Sequence, residues 1–350
     1  MRIVFLGNMN THGRAFQRCR ALKELGHDVD ELSFVPLGHQ PGVSRGPGLL
    51  YRVMNKFGYP PDMTGFNGRL PGMVDDSTDI LWVEKAPSLR PGVLRRIRWD
   101  HPGVAMVFYS EDDMYARHNQ SAWFRACLPL YDVVFTTKSY NCDPGELPAM
   151  GARRVIFVDK AYDRNTHRPM DLTGDERRQL GADVGFIGTF EIQRAERMLF
   201  LAENGVQVRI FGNGWAGWVG RHPNLLVENR PVYGDDYARA ICATRINLCF
   251  LRKINRDLQT DRTPEIPACG AFMLAERTVE HSRLFEEDRE AAYFDIDDPQ
   301  ELLDKVRWYL EHEERRAAVA AAGRERCLRD GYSHHDRLRW MLNQVAGRET

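Results

Sequence analysis

Short apolar runs alternate with helix-like segments twice along the chain, and this repeated alternation is the tightest constraint on the fold. In the first series the runs are RIVFLG (2–7), a return within ELGHDVDELSF (24–34), DILWVEK (79–85), VAMVFYS (104–110), DVVFTT (132–137) and RVIFV (154–158). Each run is bounded by turn or polar residues, and the intervening chain is long enough for a crossover. In residues 14–25, for example, Phe16, Cys19, Leu22 and Leu25 fall on one helical side. Short buried strands with such connections predict a parallel sheet covered by helices.

The alternation restarts after a polar segment at 163–182, DRNTHRPMDLTGDERRQLGA. Its strand candidates are DVGFIG (183–188), VQVRIFG (206–212), LLVEN (225–229), INLCFL (246–251), AFMLAE (271–276) and AAYFD (291–295). RAERMLFLAENG and GDDYARAICATR supply helices between them, and residues 299–348 are mostly helical, with Leu302, Val306, Tyr309 and Leu310 on one face. A chain of 350 residues exceeds one ordinary core. The fold expected is α/β, with two Rossmann-like doubly wound domains facing across a cleft lined by strand carboxyl ends. The domains are placed at 1–168 and 169–330, with a C-terminal helix at 331–350 packing back on the first.

Charge narrows the partners. The 48 basic and 49 acidic residues leave a net charge of −1, so the whole molecule carries no general attraction for nucleic acid or anionic lipid. The seven cysteines, Cys19, Cys127, Cys142, Cys242, Cys249, Cys269 and Cys327, show neither metal-knuckle nor redox-pair spacing. They read as reduced thiols in a reducing compartment. MRIVFLGN is too short an apolar run for a signal peptide, and no run approaches the ~20 residues of a membrane span. A cytoplasmic location is expected.

Several strand ends carry polar residues that suit a ligand site. GNMNTHG, with Gly7, Asn8 and Gly13, lacks both the dinucleotide and the P-loop spacing; it is either a glycine-permitted turn or a loop offering amides to an anion. YSEDDMYARH crowds Glu111, Asp112 and Asp113, as a solvated helix start or as a base, hydroxyl-orienting or metal-binding group. Glu84 and Lys85 end another strand, with Lys85 either on the surface or facing the cleft. In the second half, Gly188-Thr189 opens a helix carrying Arg194 and Arg197, a diphosphate cradle or a helix with surface arginines. Gly212 makes a second glycine turn, and the nearby Trp215 either stacks on a base or packs in the core. LRKINRDLQTDRTPEIPACG is the densest stretch, setting Arg252, Lys253, Arg256 and Arg262 among Asp257, Asp261 and Glu265.

RTPEIPACGAFMLAE, followed by LFEEDREAAYFDIDDPQELLDKVRWYLEHEERRAAVAAAGRERC, resembles the C-terminal domain of group 1 glycosyltransferases, with the CgeB-like (spore maturation) branch closest. DILWVEKAPSLRPGVLRRI and YDVVFTTKSYN with MGARRVIFVDKAYDRNTHRP are similar to that branch's N-terminal domain and hinge, so the resemblance covers most of 75–345. It implies a GT-B fold whose C-terminal domain binds a nucleotide sugar. The family's second donor-site glutamate falls on Glu265, implying a ribose contact, while Asp257 holds the place of the first glutamate. Arg262 is implied to face the diphosphate, with Arg194 helping to offset its charge; the glycine turns at Gly188 and Gly212 are read with them as donor-side residues. No metal or other cofactor is implied, since cations and helix amides can stabilise a departing diphosphate. DIDD (295–298) reads as a helix start before Pro299 rather than a metal motif.

The function expected is metal-independent, retaining glycosyl transfer from a nucleotide-diphosphate sugar to a glycan, small-molecule, protein or modified nucleic-acid acceptor. On the acceptor side stand Gly7, Asn8, Gly13 and Lys85, with Asp112 and Asp113 as catalytic candidates. The carboxylate pair equally permits an inverting base. Two other readings are a nucleotide-sugar epimerase and a catalytically silent nucleotide-sugar-binding or assembly protein, the second favoured by Asp257. Residues 36–75, rich in glycine and proline, are either an acceptor loop or a surface excursion, and Tyr51, Phe57 and Tyr59 within them either stack on a sugar or pack.

Overall fold

The computed structural model describes residues 1–38 and 48–347. It forms two compact units, Met1–Asp159 with His334–Thr350, and Lys160–Ser333. The first runs β1 (Arg2–Gly7), α1 (Arg14–Glu24), β2 (Asp28–Ser33), α2 (Leu49–Lys56), α3 (Phe66–Arg69), β3 (Ile80–Glu84), α4 (Pro91–Asp100), β4 (Ala105–Ser110), α5 (Ala122–Cys127), β5 (Val133–Thr136) and β6 (Val155–Phe157). The second runs α6 (Gly174–Leu180), β7 (Val184–Ile187), α7 (Ile192–Glu203), β8 (Val208–Phe211), β9 (Leu225–Val227), α8 (Gly234–Ala243), β10 (Ile246–Cys249) and α9 (Arg262–Ala268). It continues through β11 (Met273–Glu276), α10 (Val279–Leu284), β12 (Ala292–Phe294), α11 (Pro299–Glu311) and α12 (Glu313–Arg329), and α13 (His334–Val345) returns to the first unit. Every strand candidate read from the sequence is a strand.

Both sheets are parallel and six-stranded, in the orders β2-β1-β3-β4-β5-β6 and β12-β11-β10-β7-β8-β9. Side chains alternate faces along each strand. Val4, Leu6, Leu81 and Val83 therefore enter one core of the first unit, and Ile3, Phe5, Ile80 and Trp82 enter the other. Leu338, Met341 and Leu342 of α13 complete that second core. In the second unit, chain order reverses between β7 and β10, which makes that gap its topological switch point.

The first seam falls after Asp159, ahead of the 168/169 boundary read from composition, because the polar segment is anchored inside the second unit. Lys160 donates its N–H to Gln259 Oε1 (2.9 Å), and its ammonium meets Asp261 at 2.9 Å. Thr173 and Glu176 then form a capping box at the start of α6. Within 36–75, residues 39–47 lie outside the described residues; Phe57 is exposed, and Tyr59 packs edge-on against Trp123 at 5.1 Å. Asp298 caps α11 through the Gln300 and Glu301 amides, so DIDD is a helix start. No helix among the described residues is long and apolar enough to cross a membrane.

One charge is set into the first unit's core. Ala15, Arg18, Cys19 and Leu22 are buried along one side of α1, so Arg18 occupies a position whose neighbours are apolar. Its guanidinium forks onto Glu84 (2.7 and 2.6 Å), donates to Glu111 (2.8 Å) and lies over the Tyr109 ring. Burial opposes the charge, but Glu111 and Glu84 outweigh it and hold the Arg18 pKa well above its ordinary value. Burial pushes the Glu84 pKa up, against the pull of Arg18. Arg18→Ala leaves a buried carboxylate without its cation, and the expected loss of stability in urea unfolding is about 3–5 kcal/mol. Adding Glu84→Gln should recover part of that loss, whereas strictly additive losses would mean the pair is not coupled.

Candidate functional site

At the switch point of the second unit, β7 and β10 share only two register pairs, Val184 with Ile246 and Gly185 with Asn247. Beyond them the strands part, and their last carbonyls lose ladder partners. Two arginines fill the gap. Arg262, the first residue of α9, donates to the carbonyls of Ile187 (3.0 Å) and Phe250 (2.9 Å). Arg194, in the first turn of α7, donates to those of Thr189 (3.1 Å) and Leu251 (2.9 Å), and pairs with Glu191 at 2.9 Å. Both guanidinium groups lie against the Phe186 ring, at 5.3 Å for Arg194 and 5.1 Å for Arg262. Burial, and next the neighbouring Arg262, lower the Arg194 pKa to about 10, while Glu191 opposes the shift.

The turn above this pair is held by a glycine contact. A Cβ on Gly212 would lie 1.9 Å from the Gly188 carbonyl oxygen, and Gly212 has φ of +150°, so no side chain fits there. Trp215 is fully buried and donates its indole N–H to the same Gly188 oxygen at 2.9 Å. It is a core anchor for the turn, and its ring is not available to a base. Gly188, Thr189 and the start of α7 thus form a rigid turn with cations beneath and a helix N-terminus beside it.

Glu265 lies on α9, two per cent exposed. Its Oε2 accepts a hydrogen bond from the Tyr237 hydroxyl at 2.5 Å, and its Oε1 is 3.6 Å from His167 Nε2. His167 Nδ1 accepts from the Asp163 N–H (3.0 Å), which leaves the proton of a neutral ring on Nε2, facing the carboxylate. These contacts orient the Glu265 carboxylate. Asp257 turns back on its own loop, accepting from the Arg252 N–H (3.3 Å) and the Asn255 amide (2.8 Å). Glu276, buried at the end of β11, accepts from the Leu251 N–H (2.7 Å); burial pushes its pKa up, against Lys253 at 3.4 Å.

The first unit presents a different edge at its own switch point, between β1 and β3. Lys85 binds Asp112 (2.6 Å) and Asn119 (2.9 Å), and this pair is partly exposed. Asp113 turns the other way. It is fully buried, and its Oδ1 accepts from the Tyr115 N–H (3.1 Å) and the Asn141 amide (2.9 Å), so it braces the loop rather than presenting a base. Asn8 accepts from the N–H (3.2 Å) and amide (2.7 Å) of Asn10, and a Cβ on Gly7 would crowd Phe5 at 2.8 Å and Ala15 at 3.0 Å. The Gly7–Gly13 loop is therefore wired internally and to Ser33 and Gly38, with Gly7 admitting α1 close to β1.

The motifs singled out from sequence thus gather Gly188, Gly212, Arg194, Arg262 and Glu265 in one unit, and Lys85, Asp112, Gly7, Asn8 and Gly13 in the other. Those motifs do not single out Tyr237, His167, Glu276, His281 or Arg18. The available signal was an arginine within an apolar helical stripe for Arg18, and a polar ring next to the buried Ala238 and Ile241 for Tyr237.

Residues 192–343 match the family model described as Glycosyl transferase-like. No curated protein sequence matches the chain. Among solved structures, sucrose-phosphate synthase from Thermosynechococcus elongatus aligns with a TM-score of 0.68 at 12% identity, over 99% of each chain. Anabaena HepE in complex with UDP-glucose gives 0.65 at 11% identity, over 99% of this chain and 100% of that one. An alpha-glucosyltransferase in complex with UDP and a 13-mer DNA containing a central A:G mismatch gives 0.67 at 12% identity, over 99% of each. The likeness is one of fold: the two parallel, Rossmann-like sheets are those of GT-B glycosyltransferase structures.

The anchoring of α9 makes this unit sensitive to acid. His281 is fully buried; its Nδ1 faces the Glu276 carbonyl (2.7 Å) and its Nε2 faces the Thr263 hydroxyl (2.8 Å). The carbonyl only accepts, so Nδ1 carries the proton and Thr263 donates to Nε2. Burial lowers the His281 pKa from 6.5 to about 4. The neutral ring's contribution is complete above pH 6.5 and is lost as pH falls towards 4, by about 3 kcal/mol. Denaturant unfolding across that range should show a steeper acid loss for the native chain than for His281→Gln. Parallel profiles would contradict a neutral, buried imidazole.

Proposed function

We propose that the protein is a glycosyltransferase that moves a sugar from a nucleotide-diphosphate sugar to an acceptor, and that its motifs between 75 and 345 place it with the CgeB-like branch. The observation that carries this reading is the Arg194–Arg262 pair at the β7/β10 switch point, beside the N-terminus of α7. It lies in the half that contains the Glycosyl transferase-like match. Ligands of open α/β sheets bind at such crevices, and the helix end favours an anion.

In this reading the diphosphate lies over the Gly188–Glu191 turn. Arg262 and the α7 amides offset the negative charge that builds as the C1–O bond to the diphosphate breaks, without a metal. Arg194, buried and paired with Glu191, acts by its field and by holding the turn. Glu265, oriented by Tyr237 and His167, accepts the ribose hydroxyls. The acceptor hydroxyl attacks C1 and its proton leaves with the departing phosphate oxygen, so the anomeric configuration is retained. Lys85 and Asp112 orient the acceptor. UDP in the HepE and alpha-glucosyltransferase structures makes a UDP-sugar the first donor to test. A cytoplasmic location belongs to the same proposal, on the reading of the seven cysteines as reduced thiols.

Titration calorimetry with UDP-, GDP-, ADP-, CMP- and dTDP-sugars should identify one donor class. Glu265→Gln and Arg262→Ala should each weaken that donor by about tenfold to a hundredfold, the value of a hydrogen bond to a charged group. Asp112→Asn should leave donor affinity unchanged and reduce transfer, and EDTA should leave turnover intact. Binding of no nucleotide sugar would overturn the reading.

A further inference from the structure

Two of the cysteines meet at the far end of α8 and α9. Cys242 is the penultimate residue of α8, and Cys269 caps the C-terminus of α9, its N–H donating to the Glu265 carbonyl at 3.2 Å. Cys242 Sγ lies 3.5 Å from the Cys269 carbonyl oxygen, which sets the Cys242 sulfur against residue 269. Both line a cavity of about 360 Å³, with Pro169, Met170, Arg177 and Gly270 among its walls. Cys242 is half-buried there, so a small reagent reaches it; Cys19, Cys127, Cys249 and Cys327 are buried.

We propose that Cys242 and Cys269 are a redox-responsive pair, in which a hydroperoxide oxidises Cys242 and Cys269 then joins it in a disulfide between α8 and α9. In the first step the Cys242 thiolate attacks the peroxide. An S–O bond forms, the O–O bond breaks, and the sulfur is oxidised by two electrons as the peroxide leaves as an alkoxide or hydroxide. In the second step the Cys269 sulfur displaces the sulfenic oxygen, and water departs with the thiol proton.

The surroundings suit these roles. The neighbouring Cys269 thiol, then the Met170 N–H and the Arg177 charge, lower the Cys242 pKa to about 7 against the effect of burial. The same partnership raises Cys269 well above the ordinary thiol range. Burial drives Cys19, Cys127 and Cys249 up to about 12 and Cys142 to about 11, so Cys242 is the thiolate-rich sulfur among the shifted cysteines. The bond would also reach the donor site assigned above. Tyr237 on α8 already holds Glu265 on α9, and the disulfide would clamp the same two helices a second time.

The native chain is treated with hydrogen peroxide, digested without reduction and mapped by mass spectrometry. A Cys242–Cys269 cross-link, reversed by dithiothreitol, is expected. Cys269→Ser should instead trap a sulfenic acid at Cys242 that dimedone labels, and Cys242→Ser should leave Cys269 unlabelled. Absence of the cross-link, or labelling of Cys142 as fast as Cys242, would overturn the proposal. The native-chain mapping decides the matter if either variant fails to fold. The link to the donor site rests on the glycosyltransferase reading and is tested separately, by the affinity of oxidised and reduced chain for UDP-glucose. A change of at least about fivefold is expected, in the range of allosteric coupling. A cross-link with equal affinity overturns the coupling, while a cross-link with no binding in either state counts against the donor reading alone.

Discussion

Where two parallel strands part at their carboxyl ends, their last carbonyls need new donors, because a buried backbone oxygen without a partner costs free energy. In the second unit this occurs between β7 and β10, and guanidinium groups meet the need. Arginine presents five N–H donors in a fixed fork, so one side chain can bridge two diverging backbones. Arg262 joins Ile187 to Phe250, and Arg194 joins Thr189 to Leu251. The consequence is electrostatic as well as structural. A gap that exists because of sheet topology acquires two positive charges, and Glu191 and Glu276 answer them only in part. The same side chains that close the backbone account also make the crevice attractive to a polyanion.

The first unit solves a similar problem with the opposite balance. Its strand-end groups are mainly carboxylates, Glu84, Glu111, Asp112 and Asp113, organised around Arg18 and Lys85. In the proposed reading, such an edge suits neutral hydroxyl groups better than a diphosphate. Both units are parallel six-stranded sheets with a switch point, and they differ in strand order and in the charge of the groups that end their strands. The difference in charge, more than the fold, supports assigning donor and acceptor to separate halves.

Most strands were legible because they are short apolar runs set off by polar turns, the pattern a parallel sheet covered on both faces requires; β2, DVDELS, is an edge strand in which only Val29 and Leu32 are buried. Glu265 was legible as a site residue through its motif, but its partners were not. Tyr237 and His167 lie 28 and 98 residues away in sequence and meet it only through tertiary packing. Asp112 and Asp113 look equivalent in sequence, yet opposite orientations give one a lysine and the other an asparagine. The seam after Asp159 was obscured because prolines and charges suggest a linker, whereas Lys160 and His167 find the buried partners Gln259 and Glu265. In each case composition reports what a residue is, while its role depends on a partner distant in sequence.

The short helix α9 shows why these partners matter together. It has seven residues, including Pro267, and helices of that length are not held by intrinsic propensity. Its position must come from its side chains, and they leave it in several directions. Arg262 enters the β7/β10 gap, Thr263 meets His281, Glu265 meets Tyr237 and His167, and Cys269 ends the helix beside Cys242. A helix positioned by such anchors has a geometry that depends on the state of each one. Protonation of His281 or oxidation at Cys269 therefore acts on the same rigid element that carries Arg262 and Glu265. Sensitivity to pH and to oxidants would follow from how the helix is held, without any change in the residues assigned to the donor.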